Sequence, residues 1–146
     1  YSEGVDVGYR WFDRQGTAPL FAFGHGLSYT HFKYSNLSAA RAADGGLDLS
    51  FTLANSGKLD GDEVAEVYLG APQNPPANAQ FPVRALAGFT RVHLKAGESR
   101  SVALHVAPRQ LQYWSADGWK AAPGPRTVFI GASSRDLRLN KTLPSP

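Results

Sequence analysis

Residues Leu47-Asp48-Leu49-Ser50-Phe51-Thr52-Leu53 alternate strictly between apolar and polar side chains. Successive side chains of a strand point to opposite faces, so this run sets Leu47, Leu49, Phe51 and Leu53 on one wall and leaves Asp48 and Ser50 wet. A helix would scatter the same residues around its axis. Ala65, Val67 and Leu69 make a second inward set with Glu66 on the wet side, and Val102 and Leu104 make a third. Leu111 to Trp114, Thr127 to Gly131 and Leu137 to Leu139 are shorter strand candidates. Turn signals separate them: Asn55-Ser56-Gly57, Ala96-Gly97, Asp117-Gly118 and Pro123-Gly124-Pro125. Ala96-Gly97 between two short alternating runs predicts a hairpin, which would set residue 93 opposite residue 100. Pro72 to Pro82 cannot pair as a central strand and reads as a long loop. Short strands with a turn about every 8–12 residues indicate an all-β antiparallel sandwich or barrel.

Residues 1–30 break this rule. They hold Tyr1, Tyr9, Trp11, Phe12, Phe21, Phe23 and Tyr29, seven of the seventeen aromatics, among Gly4, Gly8, Gly16, Pro19, Gly24 and Gly26. The mixture has no helical period and no long alternation, so it reads as an irregular strap lying against something apolar. Residues 31–146 form the domain proper. A soluble monomer rarely leaves so many aromatics exposed as one patch. The strap is therefore expected to fold back over the sandwich, with Phe21, Phe23 and Tyr29 on a sheet edge, or to bury itself against a second copy. The stretch after Pro19 is expected to stay attached, and Tyr1 to Phe12 to be looser.

Composition closes off several functions. No Cys is present, so there is no disulfide, thiolate metal site or cysteine nucleophile. No apolar run approaches the roughly 18 residues of a membrane helix. Tyr1-Ser2-Glu3 reads as a start within a longer protein. Residues 1–81 carry five Lys/Arg against nine Asp/Glu, and residues 82–146 carry ten against three. These later cations, Arg84 and Arg126 among them, stand singly, as on the wet face of a sheet, and no nucleic-acid motif accompanies them. Glu63 and Glu66, three apart on one strand, point to opposite faces and cannot flank a glycosidic bond. Asp60-Gly61-Asp62-Glu63 lacks calcium-loop spacing and reads as a solvated turn. His25, His31, His93 and His105 have no metal-ligand spacing, and neither a nucleophile elbow nor a phosphate loop occurs, so no cofactor is expected. Asn36-Leu37-Ser38 and Asn140-Lys141-Thr142 match the glycosylation pattern. Tyr113, Trp114 and Trp119 are candidates for stacking on sugar rings. Aromatics beside a glycine turn more often pack in a core or interface, and periodicity leaves both options open.

The residues also resemble a family. Glu3-Gly4-Val5-Asp6-Val7-Gly8-Tyr9-Arg10-Trp11-Phe12-Asp13, followed by Pro19-Leu20-Phe21-Ala22-Phe23-Gly24-His25-Gly26-Leu27-Ser28-Tyr29-Thr30, resembles the entry to the C-terminal fibronectin type III-like domain of family 3 glycoside hydrolases. Gly61 to Leu69, Leu86 to Val92, Ala96 to Ser99, Leu111 to Trp114 and Gly131 to Leu137 continue the resemblance in family order. Ala22 and His25 depart from it, at positions where Pro and Tyr are common. The resemblance implies a β-sandwich that follows an α/β-sandwich domain, and a secreted or periplasmic setting. It implies that the nucleophile and the acid/base lie upstream, so no catalytic residue falls in this chain. Tyr9, Arg10, Trp11, Phe12, Phe21 and Phe23 are then the candidates for contact with the catalytic domains of the same parent chain. A polysaccharide partner through the aromatics and self-association through residues 1–30 complete the expectations.

Overall fold

The computed structural model describes residues 2–144; Tyr1 of the strap lies outside the described residues. Among the described residues one short α-helix, α1 (Tyr9–Gln15), precedes nine strands: β1 (Phe32–Arg41), β2 (Leu47–Asn55), β3 (Gly61–Gly70), β4 (Arg84–Leu94), β5 (Ser99–Val106), β6 (Gln112–Ser115), β7 (Gly118–Ala121), β8 (Arg126–Ser133) and β9 (Asp136–Leu143). A three-stranded sheet, β1-β2-β5, faces a four-stranded sheet, β4-β3-β8-β9, and β6 and β7 form a separate ribbon. All pairings are antiparallel. The fold is the all-β, fibronectin type III-like sandwich that the alternation and the resemblance imply.

The alternating sets make the core. Leu47, Leu49, Phe51 and Leu53 from β2 meet Ala65, Val67 and Leu69 from β3 and Val128 and Ile130 from β8, all nearly or fully buried. Val102 joins them, whereas Leu104 is only half-buried, on edge strand β5.

The hairpin expected at Ala96-Gly97 does not form. β4 and β5 belong to different sheets, and the turn is an arch that carries the chain across the sandwich. His93 faces Asp62 of β3, and residue 100 faces Leu53 of β2. Both runs alternate with one apolar wall, as neighbours in a sheet or partners across a core equally would. Local pattern cannot separate those cases.

Asn55 explains how the arch is held. Its fully buried side chain accepts from Thr30 Oγ1 (2.6 Å) and the Gly57 amide (3.0 Å), and donates to the carbonyls of Leu59 (2.8 Å) and Leu94 (3.1 Å). Its backbone bonds Gly97 and Glu98. One side chain with every hydrogen-bonding site used thus ties the strap's end, the β2–β3 crossing and the arch.

At the opposite end, the β6–β7 ribbon and the loop before β4 close the sandwich. Leu111 and Ala122, flanking the ribbon, are buried and share a backbone bond. The inward faces of β1 and β8 end here in Arg41 and Arg126.

Candidate functional site

Two surfaces carry chemistry: the layer made by residues 2–30, and the cleft beneath the β6–β7 ribbon. In the first, the sequence's irregular strap contains a two-turn helix. It is bracketed by Gly8 and by Gly16, whose left-handed conformation (φ 65°) caps the helix and lets the chain turn away. The helix lies on the outer face of the four-stranded sheet. The Tyr9 ring stacks on Phe23 (4.9 Å) and meets Tyr68 of β3 edge-on (5.9 Å), and the Tyr9 hydroxyl accepts the Leu86 amide at 2.7 Å. The Asp13 carboxylate, 1% exposed, sits 3.2 Å from both Arg84 of β4 and Arg135 of the β8–β9 turn. Arg135 also donates to the carbonyls of Phe12 and Thr17. Asp6 is buried against Arg14 and Gln80.

Glu66, expected on the wet side, is buried by this layer at 6% exposed. The alternation placed it correctly on the outer face, but the strap removes that face from water. Gly24 crosses so close above the carboxyl that a Cβ there would collide with it. Burial pushes the Glu66 carboxyl above the usual range, while the hydrogen bond from Tyr68 (2.5 Å) partly offsets that rise. Phe23 therefore lies over a sheet face, not an edge, and its carbonyl accepts the Ser134 amide. Phe21 and Tyr29 turn the other way, being 71% and 96% exposed, with Leu20 at 90% and Leu27 at 95%. Trp11, edge-on to Phe12, is partly exposed. The strap thus has a face clamped to the sandwich and an apolar face turned outward.

The second surface is an open cleft of about 550 Å³. Trp114 and Trp119 are opposite each other on β6 and β7, their rings T-shaped at 5.3 Å and both exposed, so neither belongs to the core of the sandwich. Arg109 lies over the Trp119 ring at 3.3 Å, and Tyr113 turns inward toward Phe81 (5.5 Å). Arg10 reaches the rim from the strap. Arg126, read from the sequence as a wet cation, is buried at 6% exposed. Its Nε donates to the Gly70 carbonyl at 2.9 Å, and it makes no ion pair among the described residues. Extending the inward set Val128 and Ile130 one step back would have found it.

Glu63 and Glu66 do sit on opposite faces of β3, bonded to Tyr34 and Tyr68 respectively. No group of three or more His, Cys, Asp or Glu among the described residues could hold a metal ion. No helix among the described residues is long and apolar enough to cross a membrane.

Comparison with known proteins agrees with this architecture. The model of the fibronectin type III-like domain matches residues 63–134. A probable β-glucosidase D of Aspergillus niger is 41% identical over 163 aligned positions, covering 97% of this chain and 21% of that protein. The crystal structure of DesR, a β-glucosidase from Streptomyces venezuelae, superimposes with a TM-score of 0.95 at 47% identity, over all of this chain and 19% of that one. The GH3 β-glucosidase of Bifidobacterium adolescentis gives 0.91 at 35% identity, over 99% and 21%. The chain spans about a fifth of the length of the relatives it matches.

Proposed function

The chain belongs to the fibronectin type III-like domains of family 3 β-glucosidases, and from that premise we propose that it is a non-catalytic docking module, which seats and stabilises the catalytic domains of its parent chain. The two-sided strap carries this reading. Asp13, Tyr9 and Phe23 fix its inner face, and that fixation presents Leu20, Phe21, Leu27 and Tyr29 to solvent. Apolar side chains held outward on an anchored backbone suit an interface, because little conformational freedom is left to lose on binding. The occupant is the parent's own preceding domain, since the relatives continue well beyond the matched fifth. The two strand carboxylates diverge, so hydrolysis belongs to that larger part.

The test mixes this chain with the rest of the parent protein, produced separately. A one-to-one complex should form, hydrogen exchange should slow across residues 20–29, and Leu20→Ser with Phe21→Ser should weaken association about tenfold or more. The chain alone should not turn over nitrophenyl β-glucoside. Unchanged association of the double variant, or a concentration-dependent dimer of this chain formed through the strap instead, would overturn the docking role. A second reading, glycan binding, is favoured by Trp114, 64% exposed on the wall of a cleft.

A further inference from the structure

We infer that the cleft beneath the β6–β7 ribbon is a subsite for a carboxylate-bearing sugar, a uronic acid unit within an oligosaccharide. The inference rests on the glycan reading and adds the chemistry of the ligand. Three observations converge on it. Among the described residues the cleft walls carry Arg10, Arg109 and Arg126 and no Asp or Glu. Arg126 is the unusual member, because a buried guanidinium is retained against its desolvation cost only when an anion or a full set of acceptors meets it. Among the described residues only the Gly70 carbonyl does so, through Nε, and Arg41 stands nearby as a second cation. Burial and that neighbour pull Arg126 down to about 10, so it remains charged at neutral pH. A planar guanidinium is the natural partner for a carboxylate, which it can grip with two parallel bonds.

The second requirement is for a sugar rather than a bare anion. Trp114 offers a free indole at the mouth of the same cleft, whereas the face of Trp119 is taken by Arg109. Sugar rings present C–H groups to such a face and hydroxyls at their edges. Asn78, Gln80 and Gln112 along the walls can donate to and accept from those hydroxyls. A neutral glycan would leave Arg126 without its counter-charge, and an inorganic anion would leave Trp114 unused. A uronate uses both.

The experiment titrates the intact chain by calorimetry and tryptophan fluorescence with three probes. They are a glucuronate-substituted xylo-oligosaccharide, the same oligosaccharide without the acid, and sodium acetate at matched ionic strength. The acidic oligosaccharide should bind about tenfold or more tightly than the neutral one, and acetate should not saturate the fluorescence change. Arg126→Met should remove that preference and leave the neutral oligosaccharide as it was. Trp114→Ala, at an exposed position, should weaken both oligosaccharides without touching the interior. Equal affinity for the two oligosaccharides overturns the uronate assignment while sparing the glycan reading, and binding of neither overturns both. Acetate saturating the site as the acidic sugar does reduces the cleft to an anion pocket and overturns the assignment.

Discussion

The sandwich interior and the seam between its outer face and the strap are both closed to water, yet they are held by different means. Inside, Leu47, Leu53, Leu94, Val128 and Ile130 are fully excluded from water and contribute through area, without direction. On the outer face a handful of directed contacts hold the strap: Asp13 between two arginines, the Tyr9 hydroxyl on a backbone amide, and Glu66 beneath Gly24. Area is shared among many neighbours and fails cooperatively, whereas point contacts fail one region at a time. The strap should therefore open without the sandwich unfolding.

The largest effect expected is inside. Leu49→Ala should cost about 2–5 kcal/mol and lower the single melting transition of the whole chain. A loss confined to one sheet's amides would break the contrast from the interior side. Asp13→Asn should cost about 1–3 kcal/mol, felt locally, because it removes the counter-charge of Arg84 and Arg135. Exchange should quicken over residues 9–24 while β2 and β3 amides stay protected. A fall in melting temperature equal to that of Leu49→Ala would show that strap and sandwich are one cooperative unit.

Glu66 should give the smallest effect, and of opposite sign. Its folded pKa is raised, so its contribution is complete below the unfolded value and is lost as pH climbs through the folded one. Strap protection should decline over that rise, and Glu66→Gln should flatten the dependence and slow strap exchange at pH 7. Faster exchange in Glu66→Gln at pH 7 would mean that the charged carboxylate, not the buried acid, holds the layer.

What could be read in the sequence divides along the same line. Strand identity and the core followed from alternation, because a pleated strand with one dry face leaves its period in the residue order. Partners across the core, such as β4 and β5, did not follow, since alternation records which way a side chain points and not which wall answers it. Glu66 was assigned to the correct face, but the strap that dries that face was read as irregular. Asp13 and Arg126 left only weak marks. An acid in a seven-residue helix and an arginine after Pro-Gly-Pro look ordinary until residues far away in the chain, 56 positions for Arg126 and Gly70, close around them.

That separation has a consequence for the order in which the molecule can be made. The strap leaves the ribosome before the sandwich, yet its seat is assembled from β4 and from the β8–β9 turn, with Ser134 and Arg135 both required. β3 likewise waits for β8, sixty residues later, to become a central strand. Most of the chain must be synthesised before its beginning has anywhere to lie. During that interval the aromatics of the strap stand without the seat that later takes up one side of them. Under the proposed docking role, early contact with a neighbouring domain of the parent chain would keep them from straying, so docking would act as a folding aid before it acts as architecture.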